Sequence, residues 1–153
     1  MGKFKIIVIL FLFGAFAFMC KAQEVKVPKG TATDNLQLKI SVGDKVLYAK
    51  FTNSKTTQDF IKQLPLILTM GDLRGREKYA SLSTELSKDA TVKTTFEAGD
   101  ISYWLGGGLA VFYNQDNSTV KAGLIVLAHL DKGAEAFSGT EKIEVKFEAV
   151  KIK

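Results

Sequence analysis

The feature that most constrains the fold is a series of short segments in which apolar and polar side chains alternate with a period of two. Leu36 to Val42 is the clearest, because its four apolar residues alternate with Gln37, Lys39 and Ser41. This period is typical of a β-strand with one buried face. Similar segments follow at short spacing without alternating helices, which argues against a parallel sheet. The sequence therefore predicts a mostly β domain of about seven or eight strands, and a closed barrel would leave no open strand edges.

Local signals predict a hairpin and a helix early in this region. Gly43-Asp44 separates the first strand from a second apolar and aromatic run, as in a β-hairpin with a two-residue turn. Thr56 and Asp59 have the spacing of a helix capping box, and Pro65 cannot continue a helix. One short helix is therefore predicted from Thr56 to Leu64.

The N-terminal segment indicates export. Lys3 and Lys5 precede an apolar run of about 14 residues, which suits a signal peptide better than a membrane-spanning helix of roughly 20. Cys20 and Ala22 provide small side chains where a signal peptidase requires them. We expect a signal peptide over residues 1–22, a flexible tether over 23–34 and one domain over 35–153.

Two locations remain open at this point. Cleavage after Ala22 would release a periplasmic or extracellular protein without a membrane span. Lipidation of Cys20 would instead anchor the chain as a lipoprotein, although the preceding Met19 is larger than the residue usual at such sites.

Composition narrows the classes of function. Removal of the signal peptide leaves 18 basic and 16 acidic residues, a net charge of +2, and their signs alternate along the chain. This pattern indicates solvated surfaces, so no nucleic-acid partner is expected. The mature chain has no cysteine and a single histidine, His129. No disulfide, thiol nucleophile, metal site or cofactor is therefore expected, and His129 is interpreted as a hydrogen-bonded strand residue.

One long segment resembles the signature of the bacterial cyclophilin-like domain family. It runs from Asp59-Phe60 through Leu64-Pro65-Leu66 to Arg76-Glu77-Lys78-Tyr79. Later segments occur in the order of that family, namely Phe96 to Trp104, Leu109 to Tyr113 and Gly123-Leu124-Ile125. The resemblance covers roughly Leu36 to Ile152. It implies a closed, eight-stranded β-barrel of the cyclophilin type with one or two short helices, in agreement with the strand count.

The resemblance does not by itself imply catalysis. Cyclophilins that isomerise prolyl bonds carry a Phe-His-Arg run, a downstream glutamine and a proline pocket with tryptophan and histidine, and this chain lacks the Phe-His-Arg run. Fold likeness also carries no activity. A divergent prolyl isomerase remains an alternative, because Arg76 or Arg74 could donate to a prolyl nitrogen. These two are the only arginines of the sequence.

Six residues are candidates for a ligand groove without catalytic residues. Arginine suits carboxylate or carbonyl recognition, and aromatic side chains can form the wall of a groove. The candidates are Arg74, Arg76, Tyr79, Tyr103, Trp104 and Phe112.

Each candidate also has a structural interpretation. Arg76 could pair with Asp72 or Asp100 in a turn, and strand aromatics commonly belong to the core. Because neighbours in a strand face opposite sides, Tyr103 and Trp104 should differ in environment. Trp104, beside the glycines at 106–108, is the better groove candidate, since glycine lets backbone approach a ligand.

The sequence thus predicts an exported, monomeric domain that binds a peptide or small molecule in this groove. The alternatives are a divergent prolyl isomerase and a structural module of the envelope without a ligand site.

Overall fold

The computed structural model describes residues 33–152. Within this range eight antiparallel strands form a closed barrel, accompanied by one α-helix and one 3-10 helix. The predicted fold class is confirmed. The strands are β1 (Leu36–Val42), β2 (Lys45–Phe51), β3 (Leu66–Leu73), β4 (Glu77–Ser81), β5 (Asp100–Trp104), β6 (Gly108–Phe112), β7 (Leu124–His129) and β8 (Ile143–Lys151). The helices are α1 (Lys55–Gln63) and a 3-10 turn, Ala134–Phe137.

The N-terminal predictions concern another part of the chain. The predicted signal peptide and nearly all of the predicted tether lie outside the described residues. Between residues 33 and 152 no helix is long and apolar enough to cross a membrane.

The strands follow one another around the barrel in the order β1-β2-β7-β5-β6-β4-β3-β8. The ladders differ greatly in length. β1 pairs with β8 from Leu36 to Val42, whereas β2 pairs with β7 only at Lys50 and Phe51. The contact between β2 and β7 is therefore the shortest ladder of the described barrel.

The predicted hairpin is confirmed, and the predicted helix needs one correction. Val42 pairs with Lys45 across a two-residue turn in which Gly43 has a φ of 57°. The helix begins and ends one residue earlier than predicted, at Lys55 and Gln63, and its N-cap is Ser54 rather than Thr56. Ser54 has an extended backbone, and its Oγ accepts a hydrogen bond of 3.0 Å from the Thr57 backbone N–H, which fulfils the cap requirement.

Apolar side chains from all strands fill the barrel interior. Tyr103 and Phe147 are among the largest fully buried side chains. Burying aromatic residues of this size contributes on the order of 2 kcal/mol each to stability. Other fully buried members are Leu38, Ile40, Met70, Ile101, Leu109, Val111, Ile125, Leu127 and Val145.

A second apolar cluster lies outside the barrel, on the opposite face of β5 and β6. Its buried members are Phe96, Ala110, Phe112, Val120 and Leu124, and Tyr79 and Trp104 pack against them half-buried. The loops around Phe96 and Val120 supply part of this cover. Because both of its faces are covered, β6 is apolar on both sides, whereas β5 places the buried Asp100 and Ser102 on its outer face.

One strand was not predicted from the sequence. β4 begins with Glu77 and Lys78, whose side chains are fully buried. The sequence predicts no strand in this charged segment, because charged residues are rarely buried unless they are paired. Both are paired here, as the geometry of the site shows.

Candidate functional site

The turn between β3 and β4 carries Arg74 at its tip. The Arg76 backbone N–H donates to the Leu73 carbonyl at 3.1 Å, closing a turn over Arg74 and Gly75. Both central residues are left-handed, with φ of 60° and 66°. Gly75 adopts this conformation without strain, whereas an L residue such as Arg74 is disfavoured there. Tight turns between antiparallel strands commonly have a positive φ at both central residues, so the turn itself accounts for the conformation of Arg74.

A cavity of about 640 Å³ lies beside this turn. The turn forms one side, and the end of β5 and the loop after β6 form the others. The lining residues are Leu73, Arg74, Arg76, Glu77, Trp104, Thr119, Val120, Lys121 and Ala122. Three candidates from the sequence, Arg74, Arg76 and Trp104, therefore line one cavity.

Arg76 is held rigidly at this cavity and is only 3% exposed. Its Nε and Nη2 donate to the two Glu77 carboxylate oxygens at 2.5 and 2.8 Å, and Nη1 donates to Ser118 Oγ at 2.5 Å. The hydrogen bonds that Arg76 donates to Glu77 are the main reason that the pKa of Arg76 is raised. The expectation that Arg76 pairs with Asp72 or Asp100 was wrong, because the adjacent Glu77 occupies the guanidinium.

Aromatic rings support the Arg76 guanidinium from below. Its central carbon lies 4.9 Å from the Phe96 ring centre and 5.8 Å from that of Phe112. The two rings stack on each other at 4.2 Å. Phe112 is thus a fully buried support beneath the cavity rather than one of its lining residues.

Asp72 fixes the turn from the β3 side. Its Oδ2 accepts from the Gly75 backbone N–H at 2.9 Å, and its Oδ1 accepts from the Tyr113 hydroxyl and lies 3.4 Å from Lys78 Nζ. Burial raises the pKa of Asp72, but these hydrogen bonds outweigh it, and the pKa is lowered. Burial, together with the bond to Asp72, raises the pKa of Tyr113.

Lys78 connects this network to the opposite loop. Its Nζ also donates to the Gly139 carbonyl and, at 2.8 Å, to the Glu141 carbonyl. The buried ammonium therefore has three oxygen partners, and it ties the β3–β4 turn to the segment before β8.

The aromatic candidates fall into two environments. Trp104 lines the cavity and meets the Tyr79 ring edge-to-face at 5.5 Å. Tyr103 points into the barrel interior, is fully buried and does not line the cavity. The expected difference between Tyr103 and Trp104 is thus observed. Of the glycines at 106–108, Gly108 allows the Tyr79 ring to pack against the backbone, because a Cβ at this position would lie 2.3 Å from the ring.

His129 lies at a separate, smaller cavity of about 200 Å³. Its Nδ1 is 2.8 Å from Asp100 Oδ1, so it is the hydrogen-bonded strand histidine that the sequence indicated. No cluster of three or more potential metal-binding side chains occurs in the described part of the chain.

Sequence reasoning missed six of the nine residues that line the cavity, and also Ser118, which accepts a hydrogen bond from Arg76. Glu77 occurs in the family-signature segment but was not a candidate, and the other five are Leu73, Thr119, Val120, Lys121 and Ala122. Ser118 and Lys121 belong to a polar loop without periodicity, so no sequence pattern connects them with Arg74. Only the pairing of β4 with β6 brings this loop beside the turn.

Comparison with known proteins gives a consistent family and fold. A model of a cyclophilin-like family matches residues 40–148. The solution structure of a hypothetical protein from Archaeoglobus fulgidus is similar, with a TM-score of 0.60 and 18% identity over 78% of this chain and 98% of that chain. At this identity the likeness concerns the fold alone. No curated protein matches the sequence.

Proposed function

Because this chain belongs to the cyclophilin-like family, whose fold does not itself define an activity, we propose that it is a non-catalytic binding domain. Its ligand is a peptide or small organic acid that combines a carboxylate with an apolar group. The binding site is the cavity between the β3–β4 turn, Trp104 and the loop after β6.

The observation that carries this proposal is a pair of unused cations at the cavity. Arg74 and Lys121 line it, and neither has an ion-pair or hydrogen-bond partner among residues 33–152. Their neighbours at the cavity include Leu73, Trp104 and Val120, which are apolar. A mostly apolar cavity with a few convergent polar groups is the usual form of a ligand site.

The chemistry of the cations specifies the ligand. A guanidinium presents parallel N–H donors that match the two oxygens of a carboxylate, and an ammonium adds a second positive charge. The Trp104 ring and Leu73 provide apolar contact for the remainder of the ligand. The C-terminus of a peptide with an apolar last side chain meets both requirements.

The alternative functions fit these contacts less well. An isomerase needs an arginine donor free to reach the prolyl nitrogen, but the Arg76 guanidinium is engaged by Glu77 and Ser118. Arg74 is exposed at a turn, where water would compete for the same bond. A purely structural module would not account for two cations without partners at a largely apolar cavity.

The binding test uses Trp104, which is the only tryptophan of the sequence. Protein from cells expressing the full-length sequence is titrated with an acetylated Ala-Leu dipeptide and with its C-terminal amide, while Trp104 fluorescence is recorded. We expect a saturable change with the free carboxylate and at least about a ten-fold weaker response with the amide. Equal responses, or none, would reject the proposal.

Variants connect the response with the two cations. Arg74→Ala together with Lys121→Ala should abolish the preference for the carboxylate. Lys88→Ala together with Lys132→Ala, which removes two exposed lysines elsewhere, should preserve it. If the control pair loses the preference equally, general surface charge and not this cavity explains the binding.

Isomerase activity is tested separately. NMR exchange spectroscopy measures cis/trans exchange of a proline peptide with and without a catalytic amount of the protein. We expect an unchanged exchange rate. Acceleration that disappears in an Arg74→Ala, Arg76→Ala variant would replace the binding proposal with the isomerase.

We also propose that the domain is exported, with a signal peptide removed after Ala22. The basic start and the short apolar run of the sequence support this. Mass spectrometry of protein recovered from the periplasm should show Gln23 as the first residue. A lipid-modified Cys20 would support the lipoprotein alternative, and retention of Met1 would reject export.

A further inference from the structure

The positive charge of the ligand cavity is not balanced by the side chains that line it. Four of the nine lining residues are charged, namely Arg74, Arg76, Glu77 and Lys121. Glu77 is the only acid among them, and its two carboxylate oxygens accept from Arg76 at 2.5 and 2.8 Å. The Arg76–Glu77 pair contributes no net charge, so the cavity carries two positive charges, those of Arg74 and Lys121.

The acids on the two elements that flank the cavity are engaged by other groups. Asp72, beside the β3–β4 turn, accepts from the Gly75 backbone N–H and pairs with Lys78. Asp116, on the loop after β6, accepts from the backbone N–H and the hydroxyl of Ser118 at 3.0 and 2.6 Å. Among the described residues, therefore, no carboxylate neutralises either cation of the cavity.

The two cations belong to separate elements whose relative position is fixed. Arg74 lies on the β3–β4 turn and Lys121 on the loop after β6. Arg76 joins these elements, because its Nη1 donates to Ser118 Oγ at 2.5 Å and its carbonyl accepts from two backbone N–H groups where that loop begins. The cavity between them, about 640 Å³, has the size of a small-ligand site, of which one carboxylate fills only a small part. We therefore expect each cation to bind its own anionic group.

Resting on the proposed function, we infer that the ligand is a dianion, namely a peptide with an apolar last residue and an acidic residue before it. Leu73 precedes Arg74, and Trp104 lines the same cavity. An apolar last side chain that packs against Leu73 and Trp104 brings the C-terminal carboxylate to the Arg74 guanidinium. The acidic side chain of the preceding residue then extends to Lys121. A linear dicarboxylic acid has the same two charges, but it lacks the branched apolar side chain for Leu73 and Trp104.

The test is a titration of three acetylated dipeptides, followed by Trp104 fluorescence, with protein from cells expressing the full-length sequence. Acetyl-Glu-Leu carries two carboxylates, acetyl-Gln-Leu has nearly the same shape with one, and acetyl-Gln-Leu amide has none. We expect the Kd of acetyl-Glu-Leu to be about five-fold lower than that of acetyl-Gln-Leu, because a second ion pair forms. This ratio should fall when the ionic strength is raised from about 0.05 M to about 0.5 M.

Variants connect the ratio with Lys121. Lys121→Ala should abolish the advantage of acetyl-Glu-Leu over acetyl-Gln-Leu. Lys121→Arg keeps the positive charge and should retain most of the advantage. Lys88→Ala is the matched control, because it removes an exposed lysine that does not line the cavity, and it should leave the ratio unchanged. Circular dichroism confirms that every variant is folded.

The outcomes separate this inference from the proposed function. A preference for acetyl-Gln-Leu over its amide, with no further gain from acetyl-Glu-Leu, would overturn the dianion and leave the carboxylate site intact. An advantage of acetyl-Glu-Leu that persists in Lys121→Ala, or that is lost equally in Lys88→Ala, would also overturn the inference. Absence of both preferences would reject the inference and the proposed function together.

Suberate tests the other source of two carboxylates. Its carboxylates are separated by as many atoms as those of acetyl-Glu-Leu, but it has no side chain. We expect it to displace acetyl-Glu-Leu only at concentrations at least about ten-fold higher, because it leaves Leu73 and Trp104 without apolar contact. Displacement at equal concentration would identify a small diacid as the ligand and overturn the peptide.

Discussion

The strained backbone at Arg74 gives a prediction that separates stability from function. Replacement of Arg74 by glycine or by alanine removes the guanidinium in both cases, but only alanine keeps a Cβ at a φ of 60°. The Gly variant should therefore be more stable than the Ala variant, although both should lose carboxylate binding.

The magnitude follows from two opposing terms. A left-handed conformation costs an L residue about 1–2 kcal/mol, which glycine avoids. Against this, glycine lowers the free energy of unfolding by about 0.4–1 kcal/mol relative to alanine, because it makes the unfolded chain more flexible. The Gly variant should thus exceed the Ala variant by about 1 kcal/mol in the free energy of unfolding.

Gly75 provides an internal calibration. It has a φ of 66°, and a Cβ added there would meet no atom within 4 Å. Gly75→Ala therefore tests the backbone penalty without a steric clash and should destabilise the protein by a similar amount, about 1 kcal/mol.

Urea unfolding, followed by Trp104 fluorescence, measures all three variants. The midpoints should change while the dependence on denaturant stays constant, as expected for a change in stability alone. An Arg74→Ala variant as stable as Arg74→Gly would refute the reasoning, because the left-handed backbone at residue 74 would then carry no measurable cost.

Four further predictions concern the residues that support the cavity. Lys78→Met should lower the free energy of unfolding in urea by about 3 kcal/mol, because it leaves the largely buried Asp72 carboxylate without its cation. A decrease of less than about 1 kcal/mol would contradict this. The lowered pKa of Asp72 means that its stabilisation is present above its ordinary value of 3.8 and lost as pH falls below it, so Asp72→Asn should reduce the loss of stability in acid. The raised pKa of Tyr113 has the opposite effect on pH dependence: its stabilisation is present below pH 10 and declines above it. Tyr113→Phe should therefore lose less stability in alkali than the wild type. Gly108→Ala should lower the free energy of unfolding by about 2 kcal/mol, because the new Cβ would overlap the Tyr79 ring. An unchanged urea midpoint would show that the ring can move away without cost.

The sequence predicted most of the barrel because its strands bury one face regularly. β1 alternates strictly, and Gly43-Asp44 determines the hairpin. β4 could not be predicted in this way, because its first two residues are charged and buried. Glu77 is paired with Arg76 in the preceding turn, and Lys78 is bonded to carbonyl groups of Gly139 and Glu141, far away in the sequence. Charge pairing within the fold, rather than periodicity, decides the structure of that segment.

The site was predicted only in part. The scarcity of arginine and the strand parity at Trp104 led to Arg74, Arg76 and Trp104, which line one cavity. Lys121 could not be found, because an aperiodic loop does not indicate its place in space. The partner of Arg76 was also missed, since adjacent residues in a regular strand face opposite sides and Glu77 bonds Arg76 only because Arg76 still belongs to the turn.

The most direct test of the account is the fluorescence titration of Trp104 with the free dipeptide and its amide. The account predicts saturable binding of the free carboxylate, a response at least about ten-fold weaker for the amide, and loss of this difference when Arg74 and Lys121 are both alanine. Equal binding of the two peptides, or a preference that survives in the double variant, would contradict a carboxylate site at this cavity.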